Sequence, residues 1–323
     1  MSTFAIDCMG GDHGTDVVFQ AVKKVLDEFS DLKVNLFITD SVDVGSHFKN
    51  DARVKFYRSS SYISADLSIY DTLKNYKSTS MYMAIQSVAQ NESDAVFTVG
   101  HTAPYFLLAK KILGTFDNLS RLPLAVVIPS ANGGHKILTD IGANLECSGE
   151  DLYQFGLLGQ NFAKALGKDD AKISLINVGH EATKGPLALR QAYSLFQNSK
   201  FKQNFEGFID ADKIFTCAAD VIVTDGFSGN CISKACEGTS RFIIGKLTKY
   251  WIMRKLMSLF LDSADKYNGA ILLGIRKLCI KAHGSSQVPS LVSALRTMYK
   301  FSQKYNYLKQ SLCETDFSIP SNK

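Results

Sequence analysis

Four times along this chain a short apolar run passes through a glycine-bearing turn into an amphipathic helix, and that order restricts the fold more than any other feature. The first instance is FAIDCMGGDHGTD, Phe4–Asp16. The helix after it carries Val17, Val18, Ala21, Val22, Val25, Leu26 and Phe29 on one face, at the 3.6-residue period. DAVFTVGHTAPYFLLAKKIL (Asp94–Leu113), ISLINVGHEATKGPLALRQAYSLF (Ile173–Phe196) and DVIVTDGFSGNCISKACEG (Asp220–Gly238) repeat the design. Further strands are expected at Val34–Thr39, Val54–Tyr57, Leu124–Ile128 and Lys136–Ile141, and further helices at Ser80–Gln90 and Glu150–Leu166. Continuous apolar strands alternating with helices predict an α/β fold whose mainly parallel sheet is covered on both faces. In such sheets ligands bind beyond the carboxyl ends of the strands, where all four glycine turns lie if their strands are parallel.

Glycine lets backbone N–H groups approach an anion closely, and a helix N-terminus behind the turn adds a favourable dipole. Four such turns on one edge would form an oxyanion or phosphate cradle; glycines that merely end strands are the plainer reading. Other chemistries find little support. GGDHG does not fit the G-x-G-x-x-G dinucleotide fingerprint, although Asp40 ends the second strand as a ribose-binding acid would. Neither a G-x-S-x-G elbow nor a Walker A pattern occurs. His13, His101, His180 and His283 lie far apart in sequence, so no metal site is expected and no cofactor is assigned. Lys184 and Lys281 each lie close to a glycine, at turns where a bound anion would need positive charge; surface lysines are the default reading.

Composition sets the outer limits. A chain of 323 residues, 46% hydrophobic and 21% charged, reads as globular and soluble. Its net charge of +5 suits an anionic substrate or an acidic partner, but no dense basic block points to nucleic acid. Seven scattered cysteines without C-x-x-C spacing fit a reducing cytoplasm, which is the expected location. The chain enters an apolar strand at once, so no signal peptide is expected. The longest uncharged run, Ala95–Ala109, is too short to span a bilayer. Residues 1–310 are expected to form a single α/β domain, and the polar end SLCETDFSIPSNK (311–323) a disordered tail.

Taken together, the loops resemble those of the bacterial phosphate acyltransferases of phospholipid synthesis. The first loop looks like their D-x-M-G-G-D-x-G-P signature, here Asp7, Met9, Gly10, Gly11, Asp12 and Gly14, with Thr15 in the proline position. LTDIGANLEC (Leu138–Cys147) is similar to their D-x-G-A-N segment. Asp225–Asn230 with Glu237–Gly238 resembles the D-G-F-x-G-N block and its E-G. NGAILLGIRKLCIKAHGSS resembles G-G-A-x-L-L-G with K-x-H-G-S-S, carried here by Gly269, Ala270, Leu273, Gly274, Lys281, His283, Gly284, Ser285 and Ser286. The motifs run in order from about residue 4 to 300.

Three loops depart from the pattern. In TVGHTAP, His101, Ala103 and Pro104 replace the asparagine, glycine and alanine of S-A-G-N-T-G-A. In GHEATKGP, His180 replaces a glutamate and Pro186 an asparagine, and YKSTSM lacks the aspartate of K-K-D-S-S-M while keeping Lys77, Ser80 and Met81.

The resemblance implies a three-layer α/β/α fold of the isocitrate/isopropylmalate-dehydrogenase type, usually as a homodimer. It implies transfer of a fatty acyl group from acyl-carrier protein to inorganic phosphate, without cofactor. The acyl phosphate would pass to a membrane glycerol-3-phosphate acyltransferase. Carried onto this sequence, Lys184 and Lys281 supply charge to phosphate, Asn230 hydrogen-bonds phosphate or carbonyl, and His283 hands a proton to the leaving sulfur. Gly10, Gly11, Asp12, Gly14, Gly100, His101, Thr102, Gly179, Asp225, Gly226 and Gly229 form the substrate-binding turns, with Asp12 accepting the spare N–H groups of its own loop. Rival readings are a phosphate acetyltransferase-like enzyme on the same fold and a non-catalytic scaffold that binds acyl-carrier protein or a membrane.

One segment stands apart from the sheet pattern. TSRFIIGKLTKYWIMRKLMSLFL (Thr239–Leu261) has five basic residues, no acidic one and the sole tryptophan, Trp251. It reads as a basic amphipathic helical excursion, at about 239–267, lying on a membrane surface through Trp251, Leu256 and Phe260. Packing against a dimer partner would equally account for its apolar area.

Overall fold

The computed structural model describes residues 2–45, 47–48, 50–64, 74, 76–247 and 269–320. The fold is a three-layer α/β/α arrangement with a mainly parallel sheet. Where one domain is expected from the sequence, the chain divides into two compact units. The first comprises Met1–Phe116 and Tyr267–Asn306, the second Asp117–Lys266 and Tyr307–Lys323. No low-complexity linker marks the change, because the chain crosses at Phe116–Asp117 through an ordinary helix-to-strand connection.

In the first unit, strands β1 (Ser2–Asp7), β2 (Leu32–Thr39), β3 (Val54–Ser59) and β4 (Ala95–Thr98) alternate with helices α1 (Thr15–Glu28), α2 (Ser80–Ala89) and α3 (Thr102–Leu113). The later strands β10 (Ala270–Leu272) and β11 (Leu278–Lys281) complete its part of the sheet, in the order β3-β2-β1-β4-β11-β10. All neighbours are parallel except β10 and β11. The period read in α1 appears as a buried stripe of Val18, Phe19, Ala21, Val22, Val25 and Leu26, in which each side chain larger than alanine contributes roughly 1.5–3 kcal/mol of burial. Parallel register aligns the strand ends: Asp7 lies opposite Thr98, and Thr98 opposite Lys281.

In the second unit, β5 (Leu124–Pro129), β6 (His135–Thr139), β7 (Ile173–Ile176), β8 (Phe205–Ile209) and β9 (Val221–Val223) follow the order β5-β6-β9-β7-β8. Only the β5–β6 pair is antiparallel. Helix α4 (Gly149–Ala165) is almost wholly buried, and its start is secured by a capping box in which Ser148 and Asp151 satisfy each other's backbone N–H groups. Helix α5 (Leu187–Gln197) packs along α4. Helix α6 (Gly226–Leu247) is different, burying only Gly226 and Gly229.

The chain ends in α7 (Val288–Glu314), and here the expected disordered tail is corrected. Leu312 and Phe317 are buried, Ser311 Oγ donates to Asn161 Oδ1 at 2.6 Å, and Gln154 Nε2 donates to the Phe317 carbonyl at 2.9 Å. A polar-looking tail is held because α4 offers amide side chains on its buried face to bond it. Of the basic segment 239–261, residues up to Leu247 are helical; Trp251, Leu256 and Phe260 lie outside the described residues. No helix among the described residues is long and apolar enough to cross a membrane.

Candidate functional site

All four glycine turns leave the carboxyl ends of parallel strands, but two belong to each unit rather than all four to one. The first-unit turns are built over a single buried carboxylate. Asp7 Oδ1 accepts from Ser80 Oγ at 2.7 Å and, weakly, from the Met9 N–H at 3.4 Å. Its Oδ2 accepts from Thr98 Oγ1 at 2.8 Å, and that same hydroxyl oxygen accepts from the Gly100 N–H at 2.9 Å. One side chain therefore ties the loop after β1, the loop after β4 and the first residue of α2.

The two loops touch closely. A Cβ on Gly10 would stand 3.2 Å from the Gly100 Cα, and Gly10 also adopts φ 82°, so glycine is required there on both counts. The third loop joins by backbone: Asp12 N–H donates to the Gly284 carbonyl at 2.9 Å, and Ala282 N–H to the Thr98 carbonyl at 3.0 Å. Behind the loops stand the N-termini of α1, after Gly14, and α3, where His101 is the capping residue and Thr102 the first helical one.

This cluster contains Gly10, Gly11, Asp12, Gly14, Gly100, His101, Thr102, Lys281 and His283. Two details differ from the expectation. Among the described residues the Asp12 carboxylate takes none of its loop's N–H groups; Asp7, five positions earlier at the end of β1 and buried, accepts that of Met9. Lys281 is buried, and its Nζ donates to the Ala282 carbonyl at 2.9 Å. His283 is exposed, with Nδ1 accepting from the Ser285 N–H at 3.2 Å and lying 2.7 Å from Ser285 Oγ. An Nδ1 that accepts leaves the proton of a neutral imidazole on Nε2.

Burial pushes the Asp7 carboxyl up from 3.8 to about 6, against the pull of its hydrogen bonds from Ser80, Thr98 and Met9. The neighbouring Cys8 thiol and Tyr105 phenol are raised as well, again chiefly by burial.

The second unit repeats the device. Asp140, after β6, accepts from the N–H groups of Leu124 (2.9 Å), Gly142 (3.2 Å), Ala143 (3.0 Å) and Asn144 (2.7 Å), and from the Asn144 side-chain amide at 2.9 Å. The Asn144 carbonyl in turn accepts from the Gly226 N–H at 2.7 Å, which seats the start of α6. A Cβ on Gly229 would lie 1.8 Å from the Asp140 carbonyl oxygen, so only glycine fits. Asn230, exposed on the next position of α6, stands over Gly142.

The roles expected of the remaining residues change here. Asp225 caps α6, accepting from the Ser228 N–H at 2.8 Å and Oγ at 2.9 Å, so its carboxylate occupies the place an anion would take at that helix end. Lys184 is exposed, and its Nζ is paired with Glu181 at 2.8 Å beside Gly179. His180 Nδ1 lies 3.0 Å from the Phe208 carbonyl and Nε2 3.3 Å from Asp210 Oδ2. Asn177, not singled out from sequence, organises that turn through Val178 N–H and the Lys184 carbonyl. The signal for Asp7 and Asp140 was present in the sequence: each is an acid ending an apolar strand just before a glycine turn.

Comparison with known proteins places the chain in a family and a fold. Residues 2–306 match the family described as Fatty acid synthesis protein. The chain is 35% identical over 311 residues to the phosphate acyltransferase of Vibrio vulnificus strain YJ016, covering 91% of each chain. It is 33% identical over 311 residues to the phosphate acyltransferase of Staphylococcus aureus strain RF122, covering 92% of this chain and 93% of that one. Among solved structures, its fold is similar to a branched-chain phosphotransacylase from Enterococcus faecalis V583, with a TM-score of 0.63 at 17% identity over 94% of this chain and 99% of the other.

Proposed function

This chain belongs to the fatty acid synthesis protein family and is an acyltransferase that moves an acyl group to phosphate, and we propose that its donor is a fatty acyl thioester of acyl-carrier protein. The acyl phosphate formed would serve phospholipid synthesis. The observation that supports this reading best is the first-unit cluster, where two glycine loops and two helix N-termini stand beside Lys281 and His283. Such a cluster suits an anion and needs no bound metal.

Chemically, a phosphate oxygen attacks the thioester carbonyl, the C–O bond forms, and the C–S bond breaks. Phosphate is already anionic near neutrality, so the protein need only position it, stabilise the transient oxyanion and help the sulfur leave. His283 would assist the last step as a hydrogen-bond donor: with Nδ1 accepting from Ser285 N–H, its Nε2–H can stabilise the departing thiolate, whose proton is then supplied by dihydrogen phosphate or water. Lys281 brings charge to the phosphate, while the roles of Lys184 and Asn230, which lie in the second unit, rest on the family resemblance alone.

The deciding assay offers purified protein inorganic phosphate with either a long-chain acyl-carrier protein or a short-chain acyl-coenzyme A, trapping acyl phosphate as the hydroxamate. Product from the carrier-protein donor supports the proposal. Product from the coenzyme A donor alone makes the enzyme phosphate acetyltransferase-like, and carrier-protein binding without product makes it a scaffold. With the right donor, His283→Ala lowers turnover by about 100-fold or more, while the phosphate requirement stays near wild type.

A peripheral place on the cytoplasmic membrane surface and a homodimer belong to the same proposal. Phe242 and Ile243 are exposed on α6 between Arg241 and Lys246, which suits reversible attachment to anionic lipid. Co-sedimentation with anionic vesicles at low and high salt tests it, comparing wild type with a dimeric Trp251→Glu, Leu256→Glu variant. Equal pelleting of the two proteins rejects residues 239–261 as the anchor.

A further inference from the structure

The Asp7 carboxylate is buried, touches no cation among the described residues, and plays no part in the chemistry above. Its partners all sit in the machinery that would hold an anion. We propose that Asp7 is a positioning residue, which in its ionised form holds the Met9–Gly14 and Val99–Thr102 loops in the spacing that binds the phosphate anion. This rests on the anion-binding reading of the first-unit loops, and is independent of which thioester is the donor.

The argument is one of donors and acceptors. Ser80 Oγ, Thr98 Oγ1 and the Met9 N–H all donate to Asp7, which uses both carboxylate oxygens as acceptors. With its one proton directed to Asp7, Thr98 Oγ1 turns a lone pair towards the Gly100 N–H, so the direction of the Asp7 bond sets the geometry of that contact. A proton on the carboxyl turns one acceptor into a donor. Either Ser80 or Thr98 must then reverse, and a reversed Thr98 has two donors pointing at its oxygen while its own proton lacks an acceptor. The Gly100 amide, next to His101 and the start of α3, is the group whose position depends on this contact.

A carboxylate kept in such a place is not there for stability. Burial raises its pKa to about 6, so the folded protein holds this charge at a cost near neutral pH. The titratable groups that face it are the Cys8 thiol and the Tyr105 phenol, both pushed further up by burial, so neither changes charge between pH 5 and 8. The loop imidazoles of His13, His101 and His283 are common to wild type and variant, so comparison with an asparagine variant isolates Asp7.

The experiment titrates sodium sulfate, a tetrahedral dianion that does not itself titrate in this range, into full-length wild type and Asp7→Asn by calorimetry from pH 5 to 8. Asparagine is isosteric, but its Nδ2 donates where Oδ2 accepted, so at pH 7.5 it imposes the disturbance that a proton imposes on wild type. The expected result is sulfate affinity at least fivefold weaker in Asp7→Asn at pH 7.5, the ratio falling towards one at pH 5, with a melting temperature equal to wild type or higher. Thr98→Val should weaken sulfate like Asp7→Asn, and Thr98→Ser should not; this pair decides the matter if Asp7→Asn does not fold. A ratio that is constant with pH, or a variant that binds sulfate more tightly, overturns the proposal, as does a wild type that binds no sulfate. Wild type that binds sulfate with the expected pH-dependent ratio yet transfers no acyl group from carrier protein would count against the donor proposed above and leave the role of Asp7 standing.

Discussion

Lys184 Nζ lies 2.8 Å from Glu181 Oε1, an ion pair within a single turn of the loop that leaves β7. The Lys184 hydrogen bond holds the Glu181 carboxyl below its ordinary range. A lysine meant for phosphate is thus engaged with a carboxylate that phosphate must displace. Lys184→Ala should raise the phosphate KM roughly ten- to a hundredfold, as expected for losing one donor to a charged group. Glu181→Gln should lower it by about two- to threefold, because exposed pairs are weak. Steady-state kinetics with varied phosphate measures both, and an unchanged KM in Lys184→Ala removes that residue from the site.

His101 occupies the N-cap of α3 with extended backbone, φ −70° and ψ 139°, but its side chain makes no capping bond. Asparagine is among the best capping residues, since its short side chain reaches the exposed N–H groups of the first turn. His101→Asn should therefore stabilise the protein by about 0.5–2 kcal/mol in chemical denaturation. It should also raise turnover if the imidazole crowds the cradle. A stability gain with unchanged turnover shows that histidine serves that turn adequately.

Gly229 backs onto the Asp140 carbonyl so closely that a methyl group has no room. Gly229→Ala should destabilise the protein by about 1–3 kcal/mol through overpacking and displace the first turn of α6, where Asn230 stands. Activity should fall with stability. A folded, fully active Gly229→Ala would show that the α6 start is not part of the working site.

Asp7 makes stability depend on pH in a definite direction. Its folded-state carboxyl, raised to about 6, binds a proton more tightly than the unfolded chain does, with its ordinary value near 3.8. The stability tied to that proton is complete below about pH 4 and is lost as pH rises to about 6, an amount of about 3 kcal/mol. Asp7→Asn has no such loss. The difference in unfolding free energy between variant and wild type should therefore grow in favour of the variant between pH 4 and 7. Urea denaturation across that range checks it, and a flat difference contradicts a buried, raised carboxyl.

How much of this was legible beforehand follows from the range of each interaction. Strand and helix depend on residues a few positions apart, so the apolar period of α1, the runs that became β1, β4, β7 and β9, and the glycine turns after them could be read directly. The parallel α/β class followed, since strands that are apolar throughout must be covered on both faces.

What only the tertiary structure decided concerns partners distant in sequence. Asp7 is bonded to residues 73 and 91 positions away, and no local pattern shows that it, and not Asp12, secures the loop. Likewise nothing local says that Asn161 would bond the chain's end, or that the strands would cluster into two units. Local sequence sets backbone conformation through short-range sterics and period. Which buried donor meets which acceptor is set by the packing of whole elements, because a polar group taken out of water must find its partner wherever the fold provides one.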